Sequence, residues 1–96
     1  MRLARRYLIS GRVQGVGFRY FTQAKATREG VHGWVRNLPD GRVEVLAEAE
    51  TSALERFERH LREGPAGGRV DQVDVSETAP GGPGNPGDNE PRFSVR

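Results

Sequence analysis

Two short stretches of this 96-residue chain carry residue types that together can manage a phosphate group. The first is Gln14-Gly15-Val16-Gly17-Phe18-Arg19, where glycines precede the start of an expected helix. The first amides of a helix have no partner within it, and its dipole favours an anion there. Glycine lets the backbone come close to a bound group. Arg19, in the expected first turn, can add a planar and permanently charged fork. The same residues also fit a tight strand-to-helix turn with a solvated arginine. The stretch is not a nucleotide P-loop, because no Gly-Lys-Ser/Thr follows, and it lacks the Gly-x-Gly-x-x-Gly fingerprint. The second stretch runs from Gly33 to Gly41, with Asn37 just before Pro39-Asp40-Gly41. A carboxamide both donates and accepts, so Asn37 can orient a water without being titrated. It can equally close the turn through a side-chain to backbone bond.

Other kinds of chemistry find little support. The chain has no cysteine, which excludes a disulfide framework, a thiolate nucleophile and a cysteine-based zinc site. His32 and His60 stand far apart without ligand partners, so no metal site and no cofactor are expected. They read as a strand-surface and a helix-surface residue. Glu48, Glu50, Glu55, Glu58 and Glu63 read as a solvated helix face and its approach, and Arg2, Arg5 and Arg6 as solvated. Of fifteen basic residues only Lys25 is a lysine, and the net charge is only +2. That balance suits a small anionic substrate better than a nucleic acid. The N-terminus lacks the apolar run of a signal peptide, and no window approaches ~18 consecutive apolar residues. A soluble, cytoplasmic protein is expected.

The elements that must position these residues follow from periodicity. Leu3 to Ser10 reads as a strand, and Gly11 to Gly17 as a loop. Phe18 to Glu29 reads as a helix with Phe18, Phe21 and Ala24 inward, stopped by Gly30. Val31 to Leu38 reads as a strand, with Val31, Gly33 and Val35 on one side and Trp34, read as core or sheet packing rather than a pocket wall, on the other. Pro39-Asp40-Gly41 reverses the chain into a strand from Arg42 to Glu48, forming a hairpin. Ser52 and Glu55 have capping-box spacing, opening a helix to Glu63 with Leu54, Phe57 and Leu61 as its apolar stripe. Glu55 with Arg59, and Glu58 with Arg62, are spaced for ion pairs on its solvent side. Gly64-Pro65 ends it. Val70 to Glu77 is a fourth strand, 79–91 a flexible Gly/Pro-rich loop, and Phe93 to Arg96 a short last strand. The order predicts a single α+β domain over 1–96. It is a ferredoxin-like split β-α-β sandwich with two helices on one face of an antiparallel sheet.

Gly11-Arg12-Val13-Gln14-Gly15-Val16-Gly17-Phe18-Arg19 and Gly33-Trp34-Val35-Arg36-Asn37 resemble the two signature stretches of the acylphosphatase family, in that family's order and at about its spacing. The similarity extends over nearly the whole chain, through Val70-Asp71-Gln72-Val73-Asp74-Val75 to Phe93-Ser94-Val95-Arg96. The resemblance implies hydrolysis of an acyl phosphate to a carboxylate and inorganic phosphate, without metal or cofactor. By the same resemblance Arg19 binds the phosphate, Asn37 places the water, and the Gln14, Gly15, Val16 and Gly17 backbone forms the cradle. The segment over 79–91 is longer than usual in the family, and the chain closes on Arg96 where many members carry an aromatic residue. Such chemistry is physically sensible. A carboxylate leaves readily, so the phosphoryl group needs charge neutralisation and an in-line water more than a strong acid.

Two rivals share the fold class. RNA-recognition domains stack bases on sheet aromatics, but the strand Arg42-Val43-Glu44-Val45-Leu46 has none, so no nucleic-acid partner is expected. Acylphosphatase-like domains also occur within larger carbamoyl-transfer proteins. A chain of this length beginning at Met1 favours a free-standing enzyme, and the absence of a leftover apolar stripe favours a monomer.

Overall fold

Alternation of small branched residues with polar ones sets the sheet. Val43, Val45, Ala47 and Ala49 point to one side of their strand, as Tyr7 and Ile9 do on the next, and all six are buried. The computed structural model describes residues 1–80 and 92–96. It contains β1 (Arg2–Arg12), α1 (Phe18–Glu29), β2 (His32–Asn37), β3 (Val43–Glu50), α2 (Thr51–Glu63), β4 (Arg69–Thr78) and β5 (Phe93–Val95). The strand order is β4-β1-β3-β2-β5. β1, β2, β3 and β4 pair antiparallel, whereas β5 lies parallel to β2, with Gly33 opposite Phe93 and Val35 opposite Val95. The sheet is therefore mixed, with both helices on one face, and the fold is the ferredoxin-like α+β sandwich. Most of the expected loop over 79–91, from residue 81 onward, lies outside the described residues.

The core sits between that face and the helices. α2 contributes Leu54, Phe57 and Leu61, and the Phe57 ring meets Tyr7 and Phe93 edge-on at 6.1 and 6.0 Å. Burying a side chain of that size is worth about 2–3 kcal/mol. The stripe of α1 differs from the expected one. Its buried residues are Phe18, Thr22 and Ala26, while Phe21 is half-buried and Ala24 exposed. Spacing of i, i+4, i+8 follows one helix face, and i+6 does not. Thr22 is tolerated inside because its hydroxyl donates to the Phe18 carbonyl at 2.9 Å.

The start of α2 also needs correction. Thr51 is its first residue, and no side chain caps it. Instead the Thr51 amide and hydroxyl both donate to the main-chain oxygen of Met1, at 2.9 and 2.8 Å. An acceptor from the residue just before β1 replaces the expected capping box. Glu58 pairs with Arg62 at 3.2 Å as expected, but the carboxylate also reaches Arg5 at 3.5 Å and is half-buried. Glu55 and Arg59 form no pair among the described residues. Glu29 joins the helices, accepting from Arg56 at 2.8 Å and lying 3.1 Å from His60 Nε2.

The other sheet face is a lattice of charge around Trp34. Glu44 sits between Arg6 and Arg36, 3.3 and 2.6 Å from their Nε atoms, and Glu48 pairs with Arg2 at 3.3 Å. Arg2, Arg5, Arg6 and Glu48 are thus engaged, contrary to the expectation that they are solvated. The guanidinium groups of Arg36 and Arg96 lie 5.3 and 5.0 Å from the Trp34 ring. Among the described residues no helix is long and apolar enough to cross a membrane.

Candidate active site

β1 delivers the chain to a turn that only glycine makes cheaply. Val13 is buried beneath it, and Gly15 and Gly17 hold left-handed φ values of 76° and 78°. A Cβ on either would meet nothing within 4 Å, so the demand comes from the backbone and not from crowding. Gly17 is the N-cap of α1. It carries no capping side chain, and the first turn holds no acidic residue. Phe21 is the first amide to find its helical partner, the Gly17 carbonyl at 3.0 Å. The amides before it are at the end of the helix where an anion is favoured.

The turn, the first helical turn and the end of β2 line an open cavity of about 120 Å³. Its walls are Val13, Gly15, Gly17, Phe18, Arg19, Tyr20 and Asn37. That volume is room for a small group and more than the space one water needs. Of the expected site residues, Arg19, Asn37, Gly15 and Gly17 thus come together. Gln14 and Val16 are not among the walls.

Arg19 is held from the far end of the chain. Its Nη1 donates to the main-chain oxygen of Arg96 at 2.8 Å. The Arg96 amide donates to the Val35 carbonyl at 2.8 Å, and Gln23 of α1 reaches the Phe93 carbonyl at 3.2 Å. Such a fork can give one nitrogen to the protein and keep others for an anion.

Asn37 ends β2 opposite Val43, with its side chain exposed and unpartnered among the described residues. The turn is closed by other groups. Leu38 N donates to Arg42 O at 2.8 Å and Gly41 N to Leu38 O at 3.1 Å. The Arg42 amide also donates to Asp40 Oδ1 at 3.0 Å. That backbone bond, with the Arg42 side chain, holds the Asp40 carboxyl below its usual range. Asn37 is therefore not spent on closing the turn.

Two features escaped the sequence. The Gln14 side chain leaves its own loop and donates to Leu38 O at 2.8 Å and Arg42 O at 3.0 Å. Nothing in the glycine spacing signals a bond across to the hairpin. Tyr20 stands exposed at the cavity wall, and only its place after Arg19 hinted at that. Among the described residues no group of three His, Cys, Asp or Glu side chains is placed to hold a metal ion.

Residues 5–84 match the model of the Acylphosphatase family. The chain is 56% identical over 68 residues to the acylphosphatase of Thermus thermophilus, covering 71% of this chain and 77% of that one. The acylphosphatase structure from Bacillus subtilis superposes with a TM-score of 0.85 at 39% identity, over 98% of each chain. HypF of T. kodakarensis contains a similar unit, with a TM-score of 0.72 at 29% identity over 99% of this chain and 12% of that one. With the two signature stretches meeting at one cavity and the family model spanning most of its length, the chain belongs to the acylphosphatase family.

Proposed function

We propose that this chain hydrolyses acyl phosphates to a carboxylate and inorganic phosphate, by attack of water at phosphorus. The observation that carries this is the shared cavity of Gly15, Gly17, Arg19 and Asn37. The phosphate rests on the backbone from Gln14 to Gly17 and the first amides of α1, and Arg19 neutralises its charge. Asn37, which lines the same cavity, holds the water in line. The new bond joins the water oxygen to phosphorus as the bond to the acyl oxygen breaks. The carboxylate leaves unprotonated, and the proton passes to the phosphoryl oxygens. Amides and one arginine supply the positive field, so the reaction needs no metal. The same proposal takes the chain as a single-domain monomer. Support comes from the few large apolar side chains left exposed among the described residues, Met1, Tyr20 and Val75. It also places the protein in the cytoplasm, which suits a cysteine-free chain.

The test is hydrolysis of benzoyl phosphate in excess EDTA. Wild type turns over, Arg19→Ala loses both binding and rate, and Asn37→Ala loses rate while still binding inorganic phosphate. No turnover by wild type above the uncatalysed background rejects the proposal. Turnover that EDTA abolishes rejects its metal-free part.

A further inference from the structure

We propose that Gln14 is a positioning residue: its carboxamide fixes the distance between the hairpin that bears Asn37 and the loop that holds the phosphate. The proposal rests on the hydrolytic reading above and assigns Gln14 a task apart from its backbone.

The geometry begins where the sheet gives out. β1 stays paired with β3 only as far as Ile9 opposite Val43. Beyond that point it continues along β4, to Arg12 opposite Arg69. The loop that follows and the β2–β3 turn therefore have no ladder between them, although the cavity needs both. The Gln14 amide spans the gap. Its two N–H groups reach Leu38 O at 2.8 Å and Arg42 O at 3.0 Å. Only the amide nitrogen can donate to two carbonyls, so the orientation of the group is fixed by its partners.

Those partners are the base of the hairpin turn. Arg42 O already accepts from Leu38 N at 2.8 Å, and Leu38 O from Gly41 N at 3.1 Å. Gln14 thus grips the most constrained part of the hairpin, one residue from Asn37. Because Gln14 is exposed, water can replace its bonds at little cost in stability. What water cannot replace is the fixed separation. A misplacement of about 1 Å in a reacting pair can cost about a hundredfold in rate.

The experiment measures kcat and KM for benzoyl phosphate, inhibition by inorganic phosphate, and the thermal midpoint. The proteins are wild type, Gln14→Leu, Asn37→Ala and the double variant. Leucine keeps much of the length and removes the donors. In Gln14→Leu, kcat is expected to fall about ten- to a hundredfold. Phosphate inhibition stays within about twofold and the midpoint barely moves, since the cradle and core are untouched. In the Asn37→Ala background the same change costs less than about twofold, because there is no longer a held water to misplace. The proposal is overturned if kcat is unchanged, if phosphate binding weakens as much as kcat falls, or if the two substitutions multiply in full. It is also overturned if the loss of rate only follows a lowered midpoint. A wild type without turnover removes the hydrolytic reading itself, a result no Gln14 variant can mimic.

Discussion

Arg19 in the first turn of α1 donates to the main-chain oxygen of Arg96, 77 positions away, at 2.8 Å. Arg19 and the residue that follows β5 are thus one unit, and the acceptor is backbone. The consequence for substitution is asymmetric. Changing the Arg96 side chain leaves the acceptor in place, whereas changing Arg19 removes the donor.

Lysine at position 19 keeps the charge and loses the fork. One ammonium cannot grip the Arg96 oxygen and present a second, fixed donor to an anion with the same geometry. Charge-assisted bonds of this kind are worth about 1.5–3 kcal/mol. Arg19→Lys is therefore expected to lower kcat/KM for benzoyl phosphate by about ten- to a hundredfold, with the fold intact by circular dichroism. Near-wild-type kinetics would show that point charge alone suffices.

Two glycines with positive φ should respond differently to alanine. Gly17 has open space around a new Cβ, so Gly17→Ala carries only backbone strain, about 1–2 kcal/mol. Gly33, with φ of 147°, lies where a Cβ would drive into the Leu46 carbonyl of the neighbouring strand. Gly33→Ala should cost about 3 kcal/mol or more, since strand separation cannot adjust locally. Urea unfolding of the two variants checks the ranking, and equal losses would contradict it.

At alkaline pH, Tyr7 is expected to limit stability. Its ring is fully buried, and burial, then the charge of Glu58, raises its hydroxyl pKa from 10.0 to about 12. The unfolded chain releases this proton near 10, and the folded one holds it two units longer. Between those values the unfolded state binds fewer protons, so stability falls as pH rises, by about 3 kcal/mol in total. Tyr7→Phe should flatten that limb in denaturation curves from pH 9 to 12. The Tyr7 hydroxyl has no hydrogen-bond partner among the described residues, so the same variant should lose under about 1 kcal/mol at neutral pH, or gain. An unaltered alkaline limb in Tyr7→Phe would assign it to another group.

The sequence was most legible where local rules coincide with tertiary ones. Phe18 to Glu29 is helical over its whole expected span, and Gly30 closes it in a left-handed conformation. The turn at Leu38 to Arg42 forms as its Pro-Asp-Gly order requires. Arg19 and Asn37 could be picked out because their chemistry is visible in residue type and neighbours. What could not be read involves partners distant in sequence. Met1 supplies the acceptor at the start of α2, Arg96 the acceptor for Arg19, and Leu38 and Arg42 those for Gln14. Arg5, Arg6 and Glu48 read as solvated because their partners lie on other strands and on α2. The parallel placement of β5 is likewise a tertiary choice, with no period-two signal in three residues to announce it.

Tethering Arg19 to β5 also sets how the enzyme fails on heating. β5 has three residues, and Gly33, Trp34 and Val35 are its partners in the ladder. A short edge element opens at a lower free energy than the core. Its release would free Arg19 while β1, β3 and α2 remain packed. Hydrolysis of benzoyl phosphate should therefore decline several degrees below the loss of far-ultraviolet ellipticity, and recover at once on cooling. Activity and ellipticity lost together would mean that the tail and the body melt as one cooperative unit. A three-residue strand that opens first would act as a thermal fuse on the chemistry.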